Sequence, residues 1–403
     1  METENTIIII GGGIAGVTAA EAARGVSNEA RIVLIHDEPG LPYNRLNLTR
    51  LIAGDVEPDK LEINSPGWYQ ENRIEHMHAR VERIIPGEKK IGLSTGVEMV
   101  FDRLVIASGA NPFVPPIPGA DLKNVFTLRT VVQAGEIIRQ VKQGSRCVCI
   151  GGGLLGIELA AGLNRRGAKV TVLEASDWML SRQLAPPASA FLRKRLEGLG
   201  LSVICGAKVK GISGSDAASG VLLGDGRTLA ADLVLISAGV RPNTQLAAEA
   251  GIAAGKGITV DGRMATSMDN IFAAGDVAEH EGKTYGLWPI AMEQGRIAGA
   301  NAAGGSEEFR GVAPSAFLKV VGVDIFSIGA FMPEDESVRI YEEEKAESYL
   351  RIAVKGGLVI GCNLLGNISA AQLVRRAIDS KTPLGQNQKL LDRVPGLKGF
   401  AQD

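Results

Sequence analysis

The sequence predicts an α/β protein with two Rossmann-like dinucleotide-binding domains and a small α+β C-terminal domain. Three observations predict it. A strand–glycine-turn–helix–strand unit opens the chain, a second copy follows 140 residues later, and the pattern changes after about Val312. Short apolar runs that alternate with Ala/Leu-rich helical stretches define the class. A spacing of 140 residues is too long for a repeat array and suits two separate domains.

In the first unit Thr6–Ile10 reads as a buried strand, residues 15–24 as a helix and 31–35 as a strand. In the second, Arg146–Ile150 is the strand, 155–165 the helix and Lys169–Leu173 the next strand. Residues 73–105 read as a β-meander with turn glycines at Gly87, Gly92 and Gly96. Pro112, Pro115, Pro116 and Pro118 mark a linker, and Arg241-Pro242-Asn243 marks a return crossing. A helix is expected over 291–303, and a hairpin tip at 342–344.

Composition narrows the function classes. The 403 residues suffice for two to three domains of roughly 150 residues. Glycine, at 51 residues, is in excess without a G-X-Y period, and 45% of the chain is hydrophobic, which excludes collagen and disorder. The balance of 43 basic and 45 acidic residues, net −2, is unlike a general nucleic-acid or membrane-surface binder. Cys147, Cys149, Cys205 and Cys362 are too few and too scattered for a disulfide scaffold. The start lacks a basic leader region, and no apolar run approaches the roughly 18–20 residues of a membrane span. A soluble, cytoplasmic, multidomain protein is expected.

Gly11, Gly13 and Gly16 form G-x-G-x-x-G between strand and helix. The first glycine permits the tight turn, the second lets backbone approach a pyrophosphate, and the third lets helix and strand pack closely. The helix N-terminus adds free N–H groups and a positive dipole for phosphate. Asp37 and Glu38, at the end of the next strand, are placed to hold a ribose hydroxyl. Gly151, Gly153 and Gly156 repeat the arrangement, and Glu174 follows 23 residues after Gly151. No arginine follows Glu174 to receive a 2′-phosphate, so NADH is expected over NADPH.

These two fingerprints join the segments 104–109 (LVIASG), 233–239 (LVLISAG) and 270–276 (NIFAAGD). Together they resemble the two-dinucleotide flavoproteins of the glutathione reductase fold. The resemblance implies an FAD domain from residues 1–110 and 241–312, an NAD domain from 111–240, and a C-terminal domain from 313–403. It implies hydride passing from NADH to the flavin. Ala15, Val81, Ala107, Ser108, Gly109, Gly275 and Asp276 fall at FAD-contacting positions, with Asp276 facing the ribityl chain. Leu154, Leu155 and Gly239 fall at NAD positions. Arg45 is implied at the FAD pyrophosphate, Leu287 and Trp288 at the flavin pyrimidine, and Lys319 at the flavin edge.

The disulfide reductases of this family carry a C-x-x-x-x-C pair soon after the first acid, but residues 40–50 (GLPYNRLNLTR) hold no cysteine. Thiol chemistry is therefore not expected, and electrons must leave for an external acceptor. Pro42-Tyr-Asn-Arg45, residues 178–184 (WMLSRQL) and 317–329 (FLKVVGVDIFSIG) are similar to NADH:rubredoxin oxidoreductases and to the flavin portion of NADH-dependent nitrite reductases. Oxygenase-coupled ferredoxin reductases and apoptosis-inducing factor instead tend to show R-P-P-L-S-K, where this chain has Arg45-Leu-Asn-Leu-Thr-Arg50. The resemblance implies that Arg50 pairs with Glu158 beside flavin and nicotinamide, as the two catalytic residues.

A small acidic redox protein, rubredoxin or ferredoxin, is the expected acceptor. Residues 365–403 carry six basic and three acidic residues, a basic face of the kind such a partner needs. A flavin subunit of a nitrite- or sulfite-reducing complex and an NADH-responsive sensor are the alternatives. A homodimer is compatible with the sequence. His36 at a strand end, His76 and His78 in the meander and His280 in a loop build no metal site, and no C-x-x-C is present.

Overall fold

The computed structural model describes residues 5–311 and 315–400. Two five-stranded parallel sheets organise the first three hundred residues. The first has the order Ile271–Ala273, Arg103–Ile106, Thr6–Ile10, Arg31–His36, Ile74–His78. The second has the order Ser202–Ile204, Lys169–Leu173, Arg146–Ile150, Leu233–Ile236, Val125–Phe126. In each, the strand entering the glycine turn is central and buried from both faces, so it reads as an unbroken apolar run such as Ile7–Ile10.

Each sheet carries a three-stranded antiparallel meander before its closing strand. The first comprises Val81–Ile85, Lys90–Leu93 and Glu98–Val100, and the second Val209–Gly214, Ala218–Leu223 and Thr228–Ala230. The expected meander over 73–105 is thus divided. Ile74–His78 joins the parallel sheet, and Gly92 sits inside a strand, not at a turn. Ala110–Pro112 and Val240–Pro242 pair antiparallel at the crossings where the proline linker and the return were expected.

Residues beyond 314 form an antiparallel sheet ordered Ser315–Val320, Val323–Gly329, Leu358–Leu365, Ser348–Lys355, Arg339–Lys345. The helix Ala371–Ser380 covers it through Val374 and Ala377. Residues 342–344 are not a hairpin tip. They lie within the edge strand Arg339–Lys345, where Glu342 bonds Tyr349 and Arg351 and Glu344 bonds Lys194. His280 likewise ends the short strand Ala278–His280 and is buried, not in a loop.

One apolar core joins regions far apart in sequence. It includes Leu48 and Ile52 of the short helix Leu48–Ala53, Ile157 and Leu163 of the helix Leu154–Arg165, and Val320 and Leu365 of the C-terminal sheet. Gly162 allows the two helices to touch, since a Cβ there would lie 3.0 Å from the Thr49 carbonyl oxygen. The side chain of Asn363, fully buried, ties the C-terminal sheet to the loop before residue 186. Its Oδ1 accepts from Ala185 N at 2.9 Å, and its Nδ2 donates to Gln183 O at 2.9 Å.

Candidate functional site

The two glycine turns have the same geometry. Gly11 has φ +114°, and a Cβ there would lie 2.1 Å from the Ala107 carbonyl oxygen. Gly151 has φ +120° and would meet the Ser237 carbonyl oxygen at 2.1 Å. A Cβ on Gly16 would lie 1.9 Å from Gly11 O, and one on Gly156 2.0 Å from Gly151 O. Gly13 and Gly153 face open space, with nothing within 4 Å of an added Cβ. The first and third glycines are therefore required by packing, and the second leaves room for a ligand. Gly13 and Gly153 are also the N-caps of the helices Ile14–Val26 and Leu154–Arg165, with no side-chain cap bond, so the first N–H groups remain available to phosphate.

Beside the first turn lies a cleft of about 1000 Å³, bounded by Gly11, Gly13, Asp37, Glu38, Arg45, Val81, Ala107, Ser108 and Gly109. Its size suits a dinucleotide. Ala15, Gly16, Gly275, Asp276, Leu287 and Trp288 are outside that wall. Gly275, at φ +83°, lies against Ala15, where an added Cβ would come within 2.8 Å of the alanine Cβ. Asp276 reaches the cleft through Arg129, whose Nη2 donates to Asp276 Oδ2 at 3.1 Å.

A polar chain crosses the cleft. Tyr43 and Arg45 both donate to the Glu38 carboxylate, and Arg45 Nη1 donates to the Arg129 carbonyl oxygen at 2.9 Å. Burial and Glu38 push the Tyr43 phenol above its usual range, so it stays protonated and donating. Glu38 thus begins a network that ends at Asp276. Ser108 and Asn243 bond reciprocally across the domain return, with Asn243 Nδ2 donating to Ser108 O at 2.8 Å. Sequence reasoning missed Tyr43, Arg129 and Asn243 as wall residues. Arg129 pairs with a residue 147 positions away, a contact without local signature.

At the second turn Glu174 is held by two backbone donors: Gly152 N at 2.7 Å and Ser176 N at 2.7 Å. Leu154 is half-buried on the adjoining core, Leu155 is 40% exposed beside the turn, and Gly239, at φ +97°, opens after the closing strand. A carboxylate so held presents fixed negative charge at the end of the strand, which disfavours a 2′-phosphate.

The expected Arg50–Glu158 ion pair is not formed. Arg50 is exposed, and its Nη1 lies 3.4 Å from Asn47 Oδ1. Glu158 Oε1 instead accepts from Val321 N at 2.6 Å. The physical reason is local: Val321 has φ +49° in the turn between two C-terminal strands, which presents its N–H to the carboxylate. Burial raises the Glu158 carboxyl, while this bond and Arg165 oppose the shift. Lys319 does not reach the cleft wall; it is exposed, with its Nζ 3.9 Å from Asp324. The helix expected over 291–303 starts earlier, at Trp288, because Pro289 fits the first turn, where no N–H is needed.

All four cysteines are free thiols, at least partly buried. Cys147, Cys149 and Cys362 are buried, and burial pushes the Cys147 thiol up to about 12. Cys205 is half-buried and also raised. None borders the cleft. Among the described residues no group of three or more His, Cys, Asp or Glu side chains has metal-binding geometry, and no helix is long and apolar enough to cross a membrane.

Two uncapped glycine-turn cradles, each beside its own parallel sheet, define an α/β protein of the two-Rossmann class. Comparison with known proteins gives the family. Residues 5–295 match the pyridine nucleotide-disulphide oxidoreductase family, to which this chain belongs. Residues 314–382 match the rubredoxin NAD+ reductase C-terminal domain. The chain is 32% identical to a nitrite reductase [NAD(P)H] of Bacillus subtilis over 95% of its own length and 48% of that protein's. It is 31% identical to the NADH-rubredoxin oxidoreductase of Clostridium acetobutylicum over 93% and 94% of the two chains. A ferredoxin reductase for the CYP199A2 system of Rhodopseudomonas palustris superposes with a TM-score of 0.87 at 28% identity, over 99% and 100% of the chains. The chain thus spans about half the length of the nitrite reductase relative, and nearly all of the rubredoxin reductase. By its family it is a pyridine nucleotide oxidoreductase module.

Proposed function

We propose that this protein oxidises NADH through FAD and delivers the electrons to a small acidic redox protein such as rubredoxin or ferredoxin. The observation that carries the proposal is two complete dinucleotide cradles with no thiol beside the flavin cleft. Bound FAD supplies the chemistry a protein lacks: it takes two electrons from a nicotinamide and releases them one at a time. The cleft beside the first turn would hold FAD, and the second turn would hold NADH, with Glu174 placed to accept from its adenosine ribose.

This chain's residues bind, orient and set charge. Arg45, Arg129 and the N-terminus of the helix Ile14–Val26 would hold the FAD diphosphate, and Asp276 would accept from the ribityl chain. Leu287 and Trp288 would stand at the flavin pyrimidine. Arg50 contributes permanent positive charge on the nicotinamide side, and Glu158 acts there through the Val321 turn without an ion pair to Arg50. The domain division is 1–110 with 241–312 for FAD, 111–240 for NAD and 313–403 for the C-terminal domain. Docking of the acidic partner uses basic residues after position 365, and the setting is cytoplasmic.

A second reading, a flavin module within a nitrite-reducing assembly, is favoured by one observation: 95% of this chain aligns with about half of a nitrite reductase. Stopped-flow mixing of the FAD-loaded protein with NADH tests the shared core of both readings. Flavin absorbance should be lost at least as fast as steady-state turnover. Reduction far slower than turnover, with a long-lived charge-transfer band, would contradict it and favour a sensor.

A further inference from the structure

The two glycine turns differ in the side chain that stands behind them. Ile10 and Ile150, the last strand residues before each turn, pair with Ile35 and Leu173, so His36 and Glu174 hold equivalent places one residue further on. A Cβ on Gly12 would lie 2.8 Å from His36 Cγ, and one on Gly152 2.9 Å from Glu174 Cβ. The second turn is thus backed by a carboxylate and the first by an imidazole. His36 also borders the cleft beside the first turn.

His36 is paired. Its Nε2 touches His76 Nε2, with the ring centroids 4.4 Å apart, and His78 stands edge-on at 6.3 Å. One proton satisfies such a contact, one ring donating and the other accepting. A proton added to the outer nitrogen of the donor ring leaves the contact intact, so the pair can hold one positive charge. A second would set two N–H groups against each other.

The other groups around the pair are few. The strand Thr6–Ile10 brings no titratable side chain, and Glu75, on the strand Ile74–His78, is held by Arg31. The helix Pro66–Glu71 brings Tyr69, its ring 6.0 Å from that of His76. Asp37 and Glu38 follow His36, Glu38 already accepting from Tyr43 and Arg45, and Arg80 and Glu82 border the same cleft. Burial first, and then His76, lowers the His36 imidazole to about 4, while Glu38 opposes the shift. A diphosphate on the Gly11–Gly16 turn sets negative charge against the pair, which favours its protonated form.

We propose that the His36–His76 pair takes up a proton when FAD binds, so that FAD is held more tightly as pH falls. The inference rests on FAD as the occupant of the first cleft. The sign follows from linkage: where the loaded protein carries more protons than the free one, affinity rises with proton concentration.

The test dilutes FAD-loaded wild type and His36→Gln and follows released flavin by its fluorescence between about pH 7 and about pH 5. Expected is a wild-type dissociation constant that falls at least threefold relative to that of the variant over this range. Calorimetry of FAD returning to flavin-stripped wild type, in two buffers of different ionisation enthalpy, should show proton uptake at the acid end. Should His36→Gln not fold, this second measurement carries the test. The same pH dependence in wild type and variant, or wild-type binding without proton uptake, overturns the inference. A wild-type protein that binds no FAD at any pH overturns the underlying functional reading instead.

Discussion

Gly16 and Gly156 tolerate no side chain, because an added Cβ would overlap a backbone carbonyl oxygen at 1.9 and 2.0 Å. Gly16→Ala should destabilise the chain by about 1–3 kcal/mol and abolish FAD retention, and Gly156→Ala should lose NADH affinity while FAD stays bound. Calorimetric unfolding with flavin quantitation checks both. A Gly16→Ala chain that keeps FAD contradicts the cradle assignment. Glu174→Ala should weaken NADH at least tenfold, read from the concentration dependence of flavin reduction; unchanged affinity would remove Glu174 from the ribose.

His36 makes a pH prediction. Burial and the neighbouring His76, whose ring nitrogen it touches, lower its imidazole to about 4. The unfolded imidazole titrates near ~6.5. Between those values the unfolded chain binds more protons, so stability is lost as pH falls through that window, by roughly 3 kcal/mol in all. Denaturation midpoints of wild type and His36→Gln should diverge on going from pH 7 to pH 4, the variant losing less. Parallel curves would contradict this.

Among elements, those written locally were legible. The central strands announce themselves as apolar runs, and glycine offsets place both turns. The outer strands Val125–Phe126 and Ile271–Ala273 are too short for periodicity to register, and the former is two residues long. The second meander escaped because Val209–Gly214 and Ala218–Leu223 mix glycine and serine with apolar residues. Site residues divide in the same way. The glycines and Glu174 follow from spacing, whereas Glu158 meets Val321 across 163 positions, which no local pattern encodes. The packing of helix Leu48–Ala53 on helix Leu154–Arg165 carries a prediction at this scale. Gly162→Val should force them apart, lower stability by about 1–3 kcal/mol and slow flavin reduction without releasing FAD. Stopped-flow and thermal unfolding measure it, and an unslowed reduction would show that this contact does not align the two cofactors.

For the whole molecule, the two sheets with their meanders are one plan used twice, and the C-terminal sheet closes onto the second through a common apolar core. The four cysteines, which in the sequence first excluded only a secreted scaffold, lie away from the flavin cleft with protonated thiols. On the proposed function, electrons leave singly to a protein partner and not through a disulfide. The direct measurement is anaerobic NADH oxidation by the FAD-loaded protein against purified rubredoxins, ferredoxins and small disulfides. Expected is fast reduction of a rubredoxin or ferredoxin, two molecules for each NADH, and no appreciable reduction of disulfides. Fast turnover with a disulfide alone would contradict it.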